Sequence, residues 1–298
     1  MDKKEALKIV RVLDGGSELE NLPDEFKKDK DVVLAAMLDD GDNLQYADDS
    51  LRKDRGFILH CIKEFHGVLK WADGSFAEDK EIVLIIIKHT STELQNAADS
   101  LRGDRGIVLA AVKEYGEALE YADDSLKKDK DIVLMAIRQD SNALQYADDS
   151  LKKDRDIILE AVKSSGHTLQ YADDSFKKDK DIVLEAVKSS GSALEYADDS
   201  FKKDKEIVLI AIKQDSNALQ YADDSLKKDK DFVLEAVQNY GYILEYIDDS
   251  SKKDKDIVLK AVVKVVSLFE YANDSFKNDP DILAIMRISH YDLVNNDE

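Results

Sequence analysis

Apolar residues along this chain of 298 residues recur with a fixed period of 25. Each period carries two apolar doublets set four residues apart, as at Ile182, Val183, Ala186 and Val187. That spacing lines one face of a helix turning every 3.6 residues and does not fit the alternation of a strand. A second apolar set follows at Ala193, Leu194 and Ala197, again helically spaced but too short to hold a helix without tertiary support. The pattern therefore predicts a longer helix A and a short helix B in each unit, joined by polar turns.

An aspartate marks the same point in every unit, at Asp29, Asp54, Asp79, Asp104, Asp129, Asp154, Asp179, Asp204, Asp229, Asp254 and Asp279, without insertion or deletion. Taken as position 1, it suits an N-cap, because its carboxylate accepts orphan amide hydrogens of the first turn, and an acid at position 3 complements the helix dipole. Pro280 follows Asp279 directly, at a first helical position where a missing amide hydrogen costs nothing. Position 13 is glycine at Gly16, Gly41, Gly116, Gly166, Gly191 and Gly241, which predicts an exit from helix A through a left-handed residue. Helix A is thus expected over positions 2 to 12. Pro23, at position 20 of the first unit, keeps its predecessor from helical angles, so helix B is expected to end near position 19. The segment D-D-S-[LF]-K-K then turns the chain back as a polar turn or short 3-10 segment, its leucine or phenylalanine pointing inward. The expected fold is all-α, an alpha-solenoid or superhelix of two-helix repeats. Eleven full repeats fill residues 4–278, and a truncated twelfth over 279–298 is expected to act as a C-terminal cap.

The run A-L-E-Y-A-D-D-S-F-K-K-D-K-E-I-V-L-I-A-I-K, residues 193–213, resembles a family of bacterial and protist tandem repeats classified only as a domain of unknown function. The resemblance covers nearly the whole chain. Its members include translocated effectors of intracellular bacteria, so it implies an interaction module, and it brings no catalytic residues. The spacing is also similar to leucine-rich variant repeats, in which an α-helix alternates with a 3-10 helix, although their proline-bearing turn is missing here.

Charge narrows the partners. With 64 acids against 43 lysines and arginines the net charge is -21. That balance repels phosphate backbones, so neither nucleic acid nor an anionic membrane is expected as partner. The N-terminal stretch lacks the apolar centre of a signal peptide, and no run is long enough to span a bilayer, so a cytoplasmic protein, or one translocated without a Sec signal, is expected. Cys61, the single cysteine, stands at position 8 among small residues and is expected to be a buried thiol.

Catalytic patterns are missing from the sequence. His60, His66, His89, His167 and His290 fall at five different repeat positions and form no H-x-x-x-H pair, and no nucleophile elbow, phosphate loop or C-x-x-C is present. Neither an enzyme nor a cofactor is expected. The acidic turns invite a divalent-cation reading, but acids at positions 20, 21, 1 and 3 do not follow an EF-hand spacing, and lysines crowd the same neighbourhood. Turn-forming hydrogen bonds are expected instead for Asp199 and its equivalents. Tyrosine recurs at position 18, from Tyr46 to Tyr271, with Trp71 in the same column, as a packing ladder between repeats.

Comparing the repeats with one another separates positions fixed by stacking from positions that vary. Positions 7 and 10 to 14 vary most, on the outer side of helix A and the turn after it. The expected function is a non-catalytic protein-binding scaffold that presents this face, a basic surface being the natural complement to its charge, with Phe65, His66, Tyr115, Tyr240 and Tyr242 as candidate anchors. The alternatives are an acidic nucleic-acid mimic and a divalent-cation-binding array. Residues 54–103 and the apolar run 261–269 depart furthest from the consensus. Ile288, Tyr291, Leu293 and Val294 are expected to fold over the second as a cap on a monomer, the other outcome being a C-terminal dimer.

Overall fold

The computed structural model describes residues 1–12, 18–89 and 91–295, with all of their side chains except those of 12, 18, 91, 241 and 288–295. Among the described residues every regular element is helical. The chain is an all-α tandem-repeat fold of the solenoid kind, in which each repeat packs on the next within two compact units, Met1–Asp148 and Asp149–Glu298.

Helix A has the expected start. Lys180–Ser189 is typical: Asp179 has extended backbone and its carboxylate accepts from the amides of Asp181 and Ile182. The same cap opens Lys30–Met37, Lys80–Ile86, Arg105–Glu114 and Lys205–Gln214. Positions 4, 5, 8 and 9 are buried, as Ile182, Val183, Ala186 and Val187 show, each contributing about 1 to 3 kcal/mol according to its size.

The helix ends differently from expectation. In most repeats position 12 is the C-cap and is extended, with Ser190 at φ -146°, and position 13 opens the next element. No glycine at position 13 among the described residues has positive φ; Gly67, at position 14, is the one that does. Close approach accounts for Gly116, Gly166 and Gly191. A Cβ on Gly116, Gly166 or Gly191 would stand 2.4, 2.1 or 2.3 Å from the carbonyl oxygen of Ala136, Ala186 or Ala211 in the following repeat.

Helix B is a 3-10 helix in most repeats, as in Gly116–Tyr121, Gly166–Tyr171 and Gly191–Tyr196. Leu194 and Ala197 are three apart, a spacing that both helix types place on one side, so periodicity alone cannot separate them. The segment is only six residues long between two extended residues, Ser190 and Ala197, and its closing bonds, such as Ala197 amide to Leu194 carbonyl at 3.2 Å, span three residues. Conversely, the acidic turn folds as one turn of α-helix at Asp49–Arg52, Asp174–Lys177 and Asp199–Lys202, and as a 3-10 turn at Leu126–Lys128.

Position 15 tests how tightly the core is satisfied. It is polar at Asn43, Glu93 and Thr168, all buried. Asn43 Nδ2 donates to the Ala36 carbonyl at 3.0 Å, Thr168 Oγ1 to the Ser165 carbonyl at 2.8 Å, and Glu93 accepts from the Gly67 amide. Each buried group has its partner, as burial demands.

At the C-terminal end, Ile282 from Pro280–Asn295 joins Val258, Val262 and Phe276 in a buried cluster, with Phe269, Ile285 and Met286 packed against it. The side chains expected to complete a cap, Ile288, Tyr291, Leu293 and Val294, lie outside the described residues.

Candidate interaction face

Within each unit a repeat meets the next along three edges, and assigning side chains to these edges shows which positions are left for a partner. The first edge is ionic. The position-2 cation reaches forward to the capping aspartate of the next repeat: Lys30 to Asp54 at 2.5 Å, Lys80 to Asp104 at 2.7 Å, Arg105 to Asp129 at 2.9 Å, Lys205 to Asp229 at 2.7 Å. Asp104 thus caps its own helix through Oδ1 and receives Lys80 through Oδ2. These lysine and arginine partners, followed by the capping amides, hold Asp54, Asp104, Asp129 and Asp229 below the usual carboxylate range.

The second edge is the acidic turn. The position-20 amide donates to the position-24 carbonyl of the preceding repeat, as Asp123 to Arg102 at 3.0 Å and Asp198 to Lys177 at 2.9 Å. Its carboxylate accepts from the amide and hydroxyl of the serine two residues on, at 3.0 and 2.7 Å for Asp198 and Ser200. Those serine contacts, the hydroxyl first, depress the pKa of Asp48, Asp123, Asp198 and Asp223. Turn-forming hydrogen bonds therefore fall to Asp198, while Asp199 pairs with Lys202 at 3.3 Å.

The third edge is the 3-10 segment with its tyrosines. Tyr121, Tyr196 and Tyr221 are half-buried, and burial, reinforced by Glu120 or Glu195, raises their pKa. Position 11 adds a clamp where it is glutamine. Gln139 donates to the Glu114 carbonyl at 3.0 Å and accepts from the Gly116 amide, and Gln214 does the same for Ser189 and Gly191.

What remains is the outward side of helix A. Positions 3 and 10 are exposed, with Asp131, Asp181 and Glu206 in one row and Lys63, Lys88 and Lys113 in the other, while positions 6 and 7 are mostly half-buried beside them. In the N-terminal unit this side holds a groove of about 480 Å³ with Leu7, Leu34, Leu38 and Phe65 as its larger apolar side chains and Arg11, Asp31, His60 and Glu64 also lining it, Leu38 being 73 % exposed.

The five candidate anchors are not equivalent. Phe65 is half-buried on the rim of that groove, and His66, next to it, is exposed. Tyr115 is half-buried and its hydroxyl donates to the His89 carbonyl at 3.1 Å, so it stitches two repeats together. Tyr240 is half-buried as the C-cap of Lys230–Asn239, and Tyr242 is 61 % exposed. Phe65 and His66 belong to one unit with Tyr115, and Tyr240 and Tyr242 to the other. Sequence comparison missed Leu38 and His60, whose signal was Leu38 standing where most repeats carry lysine or arginine.

Among the described residues no three histidine, cysteine or acidic side chains converge in a way that could hold a metal ion, and His167 is bonded to the Ser192 hydroxyl at 2.9 Å. Cys61 is buried beside Met37, and burial pushes its thiol pKa up to about 12. No helix among the described residues is long and apolar enough to cross a membrane.

A family model described as a domain of unknown function (DUF4116) matches residues 3–52, 54–102, 104–152, 154–202 and 204–252. Each match spans two of the 25-residue repeats, and four of the five begin on the capping aspartate. No curated protein and no solved structure matches the chain.

Proposed function

From the premise that the chain belongs to the DUF4116 family, whose description states no activity, we propose that it is a non-catalytic protein-binding scaffold that presents the outward side of helix A. The observation that carries this reading is the division of labour within the repeat. Capping, turn and 3-10 positions are occupied by contacts between repeats, whereas position 10 is exposed, and position 7, half-buried or exposed from His60 onward, changes its residue type along the array. Position 7 alone runs through Ala35, His60, Ile85, Ala110 and Met135 in the N-terminal unit. Side chains that vary on a regular backbone are how repeat arrays acquire different partners. Against the nucleic-acid mimic stands the row of lysines on the same face as the acids, because a mimic of phosphates needs acids alone.

The groove at Leu38, His60 and Phe65 is the place to test it. Affinity capture from lysate of the source cell is compared between the full chain and the variant Leu38→Glu, His60→Glu. The expected outcome is loss of at least one captured protein, with an unchanged melting temperature. Identical capture profiles would remove this face from consideration.

A further inference from the structure

We propose that the helix-A face of the N-terminal unit docks an acidic amphipathic helix of a partner protein, held by Lys63, Lys88 and Lys113 beside an apolar row. The proposal rests on the scaffold reading and adds the chemistry of the occupant.

Most cations of the repeat already have an acid. At position 2, Arg55 pairs with Asp79 and Glu81, and at position 24, Lys127 pairs with Asp124 and Lys177 with Asp174. Position 10 differs. Lys63, Lys88 and Lys113 are exposed on three successive helices A, and among the described residues they pair with no acid. The acids that could oppose them are few. Position 3 is glycine at Gly56 and Gly106, and Glu81 is held by Arg55 at 2.5 Å. Glu64 and Glu114 directly follow the outer two lysines, but His89 follows Lys88, so the row is most positive at its centre.

Beside the lysines runs an apolar row of half-buried side chains, Leu59, Leu84, Ile85 and Leu109. Towards the N-terminus the face continues into the groove of Leu38, His60 and Phe65. The C-terminal unit presents a different face. There position 7 is Glu160, Glu185 and Glu235 in three repeats, with Ile210 and Lys260 in the other two full repeats, so that no two successive helices carry an apolar residue there, and Lys188 is paired with Glu185 at 3.0 Å.

Spacing selects a helix as the occupant. Packed helices stand about 8 to 10 Å apart, so the lysines recur at that interval. On a helix laid across them, residues seven apart share a side and are separated by about 10.5 Å. Acids at every seventh position of such a helix meet the three lysines in register, and leucines three or four residues on meet the apolar row. A nucleic-acid strand fits less well, because its charges are more closely spaced than this row and the chain carries 64 acids around it. The net charge of -21 favours a basic partner at long range, but inside a Debye length of about 8 Å the local row decides.

The test uses the full chain and fluorescence anisotropy with a labelled helical peptide of about 18 residues, bearing a leucine stripe and glutamate at every seventh position. Two controls carry lysine in place of glutamate, or the same glutamates moved out of that register. The in-register acidic peptide should bind best. Lys63→Glu, Lys88→Glu, Lys113→Glu should weaken it by about tenfold to a hundredfold, three exposed charge contacts being lost and reversed. Lys163→Glu, Lys188→Glu, Lys213→Glu, the matched triple change in the C-terminal unit, should leave binding within about twofold. Melting temperatures of both variants confirm that each is folded. Tighter binding of the lysine peptide, no binding of the acidic one, or indifference to the triple reversal each overturns the acidic-helix proposal. Lysine-dependent binding of labelled oligouridylate with no peptide bound would also overturn it and make the partner a nucleic acid. The scaffold reading is judged separately, by whether Leu38→Glu, His60→Glu still loses its captured protein.

Discussion

Repeats 54–78 and 179–203 have the same length and different interiors. In the second, helix A ends at Ser189, Ser190 is extended, and the chain enters a 3-10 helix at Gly191. In the first, position 13 is His66, the chain turns through Gly67 at φ 73°, and the next element is a turn of α-helix, Val68–Trp71. The link to the following repeat changes with it, from Gln214 accepting the Gly191 amide to Glu93 accepting the Gly67 amide. Trp71 reaches back instead, its Nε1 donating to Asp42 at 2.8 Å. The ends of the unit do not change. The Asp73 amide donates to the Arg52 carbonyl at 3.0 Å as the Asp198 amide does to the Lys177 carbonyl at 2.9 Å, and Arg55 meets Asp79 as Lys180 meets Asp204. The 25-residue step is therefore set by the acidic turn and the capping aspartate, and the middle of the unit can be rebuilt between them.

The sharpest way to break this comparison is to fill the close approach in the regular repeat. Gly191→Val puts a branched side chain where a Cβ alone would be 2.3 Å from the Ala211 carbonyl, so one backbone must move. A loss of about 3 kcal/mol is expected, read as a lower urea midpoint. Gly74→Ala, where a Cβ meets nothing within 4 Å, should change stability by less than about 0.5 kcal/mol. Equal effects of the two would show that position 13 is not a packing constraint. In the rebuilt repeat the demand on glycine is conformational. Gly67→Ala has room, its nearest contact being Asp42 at 3.8 Å, but forces a left-handed backbone, which should cost about 1 to 2 kcal/mol by the same measurement.

These two glycines also explain what the sequence could and could not reveal. Caps and register were legible because an aspartate before an apolar doublet has one local use, and eleven of them recur at one spacing. The role of position 13 was not, because glycine serves a left-handed exit and a close approach equally well, and only the Ala186 and Ala211 carbonyls of the next repeat distinguish them. Helix B was legible as a short helix but its type was not, since Leu194 and Ala197 suit either helix type. On the candidate face, variability located helix A, but it could not show that the Tyr115 hydroxyl is held by His89, or that Leu38 and His60 share a groove with Phe65.

A smaller effect separates the two aspartate columns at the unit's ends. Asp204→Ala removes the acceptor of the Glu206 and Ile207 amides and one of the two acidic partners of Lys180, Glu206 remaining at 3.6 Å, for about 1 kcal/mol. Asp199→Ala removes only an exposed pair with Lys202 and should be nearly silent. Acid titration asks the same question without mutation. Asp104, Asp123, Asp198 and Asp229 all have folded pKa values below their ordinary value of 3.8, so their contribution is complete above that pH and is lost as pH falls through the folded values. The melting temperature should hold from pH 7 to about 5 and drop steeply below about 4, an array without that lower limb being incompatible with the ionic edge.

The least perturbing probe is the tyrosine column, and it returns to the contrast between regular and rebuilt repeats. Tyr121, Tyr196 and Tyr221 are half-buried and their hydroxyls are raised above the ordinary 10.0, burial first and neighbouring glutamates next. A raised pKa means that the folded state holds the proton more tightly, so their stabilising share is complete below pH 10 and disappears as pH climbs through the folded values. Glu195→Gln removes the charge that adds to burial at both Tyr196 and Tyr221, so tyrosinate absorbance should appear earlier for those two, while burial keeps them above free tyrosine. Repeat 79–103 supplies the internal control, because its position 18 is Asn96 and carries no proton to lose. Replacing Tyr196 by Asn should accordingly remove one late-titrating group and leave the acid limb where it was, and movement of both limbs together would mean that the ionic and tyrosine edges are not independent supports of the stack.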